Sequence, residues 1–441
     1  MSHARPPLAP AVEARIREIG AAELVVGIPS FNNVRTIGHV VWAASAGLAR
    51  YFPGRHAVLV NSDGGSTDGT PEVVAAAEVG EPQAIFATHE LTPVQKVLTP
   101  YHGAPGKGSA FRTIFAIAER LGAKACAVVD SDLRSITPAW MELLLGPVVL
   151  HGLDYVSPLY LRHKYDGTIT NSIVYPLTRA LYGQEVRQPI GGDFGFSGRL
   201  CAHYLGQDVW ETNVARFGID IWMTTTALAD GFSVCQSFLG AKLHDAKDPG
   251  ADLQAMMVQV VSSVFDLMET KAPRWADISD ARKVPLFGFP HGVGLEPVPV
   301  NVERMQGIFR QAARDLREVW AEILPPATLD ETLALAAPEN APFVFPDPLW
   351  VRVVLDFAVA YHRRVLPAEQ LLRSLVPLYL GRTAAFVSRM EASDAEAVEA
   401  DIAGLADEFL KQKPYLRERW GLESRSRPGL ESKARLDPMV D

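Results

Sequence analysis

Three apolar runs in the first 130 residues each stop abruptly at a polar cluster, and each cluster leads into a stretch with helical periodicity. Residues 23–28 end in Pro29-Ser30-Phe31-Asn32-Asn33, residues 56–61 in Ser62-Asp63-Gly64-Gly65-Ser66, and residues 125–129 in Asp130-Ser131-Asp132. Runs this short and apolar predict strands of a parallel sheet buried on both faces. Helices are expected over 36–51, 71–77 and 109–121 and from about Pro138, with a further short strand around Phe86 and an amphipathic helix over 11–20. Strand, loop and helix alternating in this way wind into a doubly wound α/β sheet whose loops gather along one edge.

The second part of the chain extends the pattern and then leaves it. Strands are expected over 154–158 and 233–243, a helix over 171–182, and another from about Phe217. From about Lys271 the character changes: 285–299 is rich in proline and glycine and reads as a linker or a loop packed over the core, and 271–300 is expected to be the linker between two domains. Helical spacing then recurs over 302–324, 329–336, 348–365, 368–379 and 394–412. The expected organisation is an α/β domain over 22–270, an α-helical C-terminal domain over 301–420, and a charged tail over 421–441. The α/β domain divides into a nucleotide half, 22–135, and an acceptor half, 136–270. The apolar faces of the C-terminal helices read first as core and second as a homodimer surface.

Composition narrows the function classes. A chain of 441 residues exceeds one ordinary core, and 48% hydrophobic with 21% charged residues is a soluble globular composition. A formal net charge of −9 argues against a nucleic-acid partner, which needs concentrated basic surface. No apolar run reaches membrane-spanning length and no signal-peptide core precedes Glu13, so the expected location is the cytoplasm. Cys126, Cys201 and Cys235 lie far apart in apolar surroundings and read as core thiols.

Chemistry is expected where strands end. Ligands of open α/β sheets bind at the carboxyl ends of strands, and Asp130 and Asp132 are hard oxygen donors suited to a divalent cation carrying phosphates. The alternative is a capped turn into the next helix. Lys107 opens a helix, where the macrodipole disfavours a cation, and reads as a phosphate contact or a solvated lysine. Gly191, Gly192, Gly195 and Gly198 mark a loop lying against a ligand, or a bulged hairpin. Asp220 is an active-site acid or a helix-start residue, and His244, at a strand end, a metal ligand or a surface histidine.

Five motifs occur in the order found in a known family: Gly106-Lys107-Gly108 opening a helix, Asp130-Ser131-Asp132-Leu133, Gln188-Pro189-Ile190-Gly191-Gly192-Asp193, Phe217-Gly218-Ile219-Asp220-Ile221, and His244. Over residues 22–250 the chain thereby resembles the retaining GT-A glycosyltransferases that make glucosyl-3-phosphoglycerate, mannosylglycerate and glucosylglycerate. The resemblance implies a Rossmann-like nucleotide-sugar domain with a mostly parallel sheet flanked by helices. It implies a nucleoside site at Pro29, Ser30, Asn32 and either Ser62 or Asp63, with Asp130 and Ser131 toward the ribose. Lys107 falls near the diphosphate, and Asp132 and His244 toward Mg²⁺ or Mn²⁺. Asp193 and Asp220 fall near the donor sugar and acceptor, and the Ile190 carbonyl near the reacting centre.

The acceptor loop departs from the family. The phosphoglycerate enzymes carry Gly-Arg-Val-Thr, whose arginine grips a phosphate, and this chain has Gly167-Thr168-Ile169-Thr170. The expected acceptor is therefore an unphosphorylated hydroxy acid such as D-glycerate, held by Gly167, Thr168, Thr170, Asn171 and Arg162. The donor is GDP-mannose, GDP-glucose or UDP-glucose. Two other readings stand beside this one: 3-phosphoglycerate as acceptor, with Arg162, Lys164 or Arg187 as the phosphate's partner, and a sugar nucleotidyltransferase on a similar sheet.

Overall fold

A computed structural model of the chain describes residues 8–77, 95–100, 106–215, 218–243, 253–292, 295, 298–336 and 343–422. Ten strands occur among them: β1 Leu24–Ser30, β2 Ala57–Asp63, β3 Gln95–Pro100, β4 Ala125–Val128, β5 Tyr155–Leu161, β6 Gln184–Glu185, β7 Phe194–Ser197, β8 Val234–Ala241, β9 Arg282–Lys283 and β10 Leu286–Phe287. Eight form one sheet in the order β10-β8-β5-β7-β4-β1-β2-β3, and β6 pairs with β9. Every neighbouring pair in the large sheet is parallel except those made by β7, which runs antiparallel between β4 and β5. The expected mostly parallel α/β sheet is what the chain forms.

Strand period two divides the central residues between two cores. Leu24, Val26, Ile28, Leu59, Ala125 and Ala127 face the helices Ile37–Tyr51 and Ala139–His151. Val25, Val58, Val60, Cys126 and Val128 face the other side, beneath the helix Lys107–Leu121. That second core does not end at the sheet. It continues through Phe265, Trp275, Phe309 and Trp320 into Trp350, Leu375 and Trp420, so the C-terminal helices share one apolar core with the sheet.

Several boundaries differ from the sequence expectation. Segment 271–300, expected as a linker, supplies the short helix Ala272–Trp275, β9, and the β10 edge of the main sheet. The expected helix 302–324 is two, Val302–Asp315 and Arg317–Ile323, meeting at Leu316. The helix expected over 368–379 runs on to Met390 with Pro377 inside it. The strand expected around Phe86 and the tail 423–441 lie outside the described residues, and the third strand of the sheet begins at Gln95. Cys126, Cys201 and Cys235 are free and buried, as expected of core thiols. Among the described residues no helix is long and apolar enough to cross a membrane.

Glycine decides one close approach in this scaffold. A Cβ on Gly195 of β7 would stand 1.9 Å from the carbonyl oxygen of Leu144, on the helix packed across the sheet. Gly195→Ala must push that helix outward, and the loss expected is at least the about 1–3 kcal/mol of an overpacked core. Urea unfolding of parent and variant measures it.

Candidate active site at the carboxyl edge of the sheet

Parallel strands deliver their last residues to one edge. The antiparallel run of β7 brings its starting end there as well, so Asp193, the residue before it, joins Ser30, Asp63, Asp130 and Lys242 along a single rim. Lys107 and Asp220 reach the same place from the first turns of the helices Lys107–Leu121 and Ile219–Ala229.

The charges form two layers. In the deep layer Lys242, 6% exposed, donates to Asp130 Oδ2, Asp193 Oδ2 and the Gly191 carbonyl, each at 2.8 Å. Asp193 is fully buried; its Oδ1 accepts the Asp130 backbone N–H at 2.8 Å and its Oδ2 also accepts the Tyr160 hydroxyl. In the open layer Lys107 Nζ lies 2.7 Å from Asp130 Oδ1 and 3.2 Å from Asp220 Oδ1, with side chains 20–24% exposed. Gly192, at φ 90°, lets the loop close on this pair, since a Cβ there would meet Asp130 Oδ2 at 2.4 Å.

Titration follows the same layering. Burial alone would lower both lysines, and the carboxylates of Asp130 with Asp220 or Asp193 outweigh it, so Lys107 and Lys242 are held above the ordinary lysine value. Burial would raise Asp130, and the two ammonium groups overcome it and hold Asp130 well below the carboxylate range. For Asp193 and Asp220 burial, aided by the Asp130 charge, prevails over their lysine partners, and both are raised. Three carboxylates thus share two ammonium groups at one rim.

The part of the rim at the ends of β1 and β2, expected to hold the nucleoside, is organised by Asp63. Its Oδ1 accepts the hydroxyls of Ser30 at 2.9 Å and Ser66 at 2.6 Å, and its Oδ2 the backbone N–H groups of Gly65 and Ser66, each at 2.8 Å. Asn32, at φ 53°, is locked to the neighbouring loop by Ser66 Oγ and Thr67 N. Ser131 donates to Asn33 Oδ1 at 2.7 Å, tying this loop to the Asp-Ser-Asp turn. Of the two alternatives for a base contact, Asp63 already holds four donors, and the Ser62 hydroxyl is buried without a partner among the described residues. Pro29 and Ser30 are buried behind the rim.

Asp132 is half-buried, and its carboxylate has no hydrogen-bond or ion-pair partner among the described residues, where no cluster of three His, Cys, Asp or Glu side chains forms a metal cage. His244, the other expected ligand, lies outside the described residues. The residue before it is pinned to the Asp132 turn: Leu243 O accepts Arg134 N at 3.0 Å, and Leu243 N donates to Ser135 Oγ at 2.9 Å.

The acceptor residues divide. Thr168, expected to meet the acceptor, is 6% exposed with its hydroxyl against Tyr379 of the helix Ala368–Met390, and Thr170 is likewise buried. Asn171 accepts Arg187 Nη1 at 2.9 Å, while Arg187 is gripped by both oxygens of Glu399. Lys164 is spent on the carbonyls of Met390, Glu391 and Ser393. Arg162, beside Gly167, keeps a loose ion pair with Asp166 at 3.6 Å, and its buried Nε has no partner among the described residues. Ile190 is half-buried at the turn before Gly191.

Two residues central to this arrangement, Lys242 and Tyr160, escape a motif reading. Their signal is slight: each is a polar residue at or near the carboxyl end of a strand that carries other polar residues as well, Ser157 in β5 and Gln236 and Ser237 in β8.

The chain is similar in structure to glucosyl-3-phosphoglycerate synthase from Mycobacterium tuberculosis. Its complex with Mn²⁺, uridine diphosphate and phosphoglyceric acid matches with TM-score 0.41 and 22% identity over 60% of this chain and 84% of that one. The complex with Mg²⁺ and uridine diphosphate matches with TM-score 0.42 and 22% identity, at 60% and 84% coverage. A mycobacterial protein matches at 24% identity and TM-score 0.42, over 60% of this chain and 80% of that one. No family model and no curated protein sequence matches the chain.

Lys242→Met would leave Asp130 and Asp193 facing each other with one of their two cations gone. Breaking a buried ion pair from one side costs about 3–5 kcal/mol. Chemical denaturation should show a loss of that size, and a change under about 1 kcal/mol would mean the cluster is solvated rather than held by Lys242.

Proposed function

We propose that this protein is a metal-dependent hexosyltransferase that moves glucose or mannose, with retention, from a nucleoside diphosphate sugar to a small hydroxy acid. The observation that carries this reading is Lys107, lodged between Asp130 and Asp220 at the carboxyl edge of the sheet. A helix-start ammonium kept charged in a partly buried site suits the developing charge of a leaving diphosphate. Asp132 and His244 are the residues that would hold Mg²⁺ or Mn²⁺. The residues fit such an ion: Asp130, Asp193 and Asp220 crowd around Lys107 and Lys242, and a divalent cation beside them would offset the charge that a diphosphate adds to these carboxylates. Once bound, the ion supplies charge neutralisation at the diphosphate.

The chain's own groups account for the rest. The Asp63 loop and Ser131 shape the nucleoside end. Lys107 exchanges its carboxylate partners for phosphate oxygens and follows the charge as the bond from the anomeric carbon to the phosphate oxygen breaks. The acceptor hydroxyl attacks on the face that the phosphate leaves, forms the new carbon–oxygen bond, and passes its proton to the departing phosphate oxygen. No enzyme nucleophile is needed. Asp193 acts by positioning, through the Asp130 N–H and Lys242, and Asp220 faces the reacting sugar. The Ile190 carbonyl, to which no described group donates a hydrogen bond, is placed to steady the acceptor hydroxyl.

The acceptor follows from which cations remain free. Of Arg162, Lys164 and Arg187, the last two are bound to the helical layer, leaving one guanidinium for one anionic group. One carboxylate matches that inventory, which favours glycerate over 3-phosphoglycerate. Incubating the protein with UDP-glucose, GDP-glucose or GDP-mannose and either acid, with and without Mg²⁺ or Mn²⁺, tests the reading. Nucleoside diphosphate together with glycosylated glycerate is the expected product. Pyrophosphate released from a nucleoside triphosphate and a sugar phosphate would establish a nucleotidyltransferase instead.

Two variants separate the parts. Asp132→Ala should abolish metal-dependent turnover without changing the unfolding midpoint, because it removes one oxygen ligand from an otherwise unpaired position. Arg162→Gln should raise the acceptor KM about ten- to hundredfold, the loss of a charge-assisted contact, and leave the donor KM in place. Equal effects on both substrates would move Arg162 out of the acceptor site.

A further inference from the structure

The acceptor loop is held from the helical layer. Lys164 donates to the carbonyls of Met390 at 2.8 Å, Glu391 at 2.6 Å and Ser393 at 3.2 Å, where the helix Ala368–Met390 ends. Tyr165 reaches the Val387 carbonyl of that helix, and Thr168 meets Tyr379 two turns earlier. Trp350 Nε1, on the helix Asp347–His362, donates to the Ser172 carbonyl at 2.9 Å. Glu399, on the helix Ala395–Lys411, takes two 2.9 Å bonds from Arg187, which in turn donates to Asn171. Among the described residues, the side-chain hydrogen bonds that leave residues 163–172 end on Arg187 or on these helices.

The loop needs such support. It passes into the helix Tyr175–Tyr182 through a π turn, Thr170–Val174, a geometry less favourable than α that persists where surrounding contacts impose it. Thr168 and Tyr379 are both buried, so their bond is made in low dielectric.

We infer that the C-terminal helices are a positioning element for acceptor use, acting through Tyr379 on Thr168 and through Glu399 on Arg187 and Asn171. The inference rests on the proposal that residues 162–171 border the acceptor. Neither Tyr379 nor Glu399 touches substrate in this scheme. They set the conformation in which Arg162 is presented, so loosening them changes how the acceptor is held and spares the donor side, which the sheet rim holds by itself.

The test uses the full chain and two substitutions of unlike risk, Tyr379→Phe in the core and Glu399→Gln at the surface. Amide hydrogen exchange is read first, in the absence of any substrate. Exchange across residues 163–174 should rise roughly five- to tenfold in Tyr379→Phe, the equivalent of one lost buried hydrogen bond, and about two- to fivefold in Glu399→Gln, whose ion pair is exposed, with β1 and β4 unchanged. Steady-state rates are read second: the acceptor KM should rise severalfold in both variants while the donor KM stays within twofold. Unchanged exchange in both variants overturns the inference, whatever the activity. Faster exchange with an unaltered acceptor KM overturns it too, since the helices would then order the loop without serving the acceptor. If the parent transfers no sugar at all, the proposed function has failed. In that case the exchange data still decide whether the helices hold the loop.

Discussion

Lys242 carries an ammonium group into a site where its side chain is 6% exposed, and it remains charged because Asp130 and Asp193 each stand 2.8 Å away. Those two carboxylates belong to different strand ends, one after β4 and one before β7, and the third partner is the Gly191 carbonyl two residues before Asp193. One cation at the end of β8 therefore fixes two backbone segments whose like charges would otherwise separate them. Asp130, once neutralised from beneath, can hold Lys107 from above, and Lys107 reaches Asp220. The open layer of the rim inherits its geometry from this buried one. In a low dielectric the cost of losing any member exceeds the worth of any single pair, which is why such clusters are rigid when complete.

The same logic of shared partners joins the two parts of the chain. The core above the Lys107–Leu121 face runs without interruption into the C-terminal helices, which pack on the helices Tyr175–Tyr182 and Leu253–Thr270. Their polar residues then meet the acceptor half. Lys164 caps the carbonyls left open at a helix end, a use of a lysine that satisfies backbone groups and withdraws its charge from the solvent-facing loop. Arg187 is withdrawn in the same way by Glu399. A loop that looks basic in sequence thereby presents far less positive charge than its composition suggests, and Arg162 is left as the cation with spare capacity.

Much of the sheet was legible because period and termination are local signals. Buried parallel strands are short apolar runs, and the residues that end them, such as Ser30, Asp63 and Asp130, are polar because they leave the apolar layers at the open edge of the sheet. The placing of Lys107 and Asp220 in helix first turns was equally local. Thr168 was not legible. A threonine in a polar loop offers a hydroxyl either to a ligand or to the protein, and nothing nearby in the chain indicates a tyrosine 211 residues further on. Segment 271–300 misled for a related reason: proline and glycine mark turns, and a two-residue edge strand such as β10 is too short to leave a period.

By itself the sequence determined the alternation of strands and helices, the edge at which carboxylates collect, and the helical character of the last third, all set by interactions within about a dozen residues. Only the tertiary structure decided which charges meet. The reversal of β7 brings Asp193 to the rim, the end of β8 brings Lys242 beneath Asp130, and the helical layer removes Lys164, Arg187 and Thr168 from the surface the loop would otherwise present. Electrostatic pairing depends on distance in space and on burial, and neither is written in the order of residues along the chain.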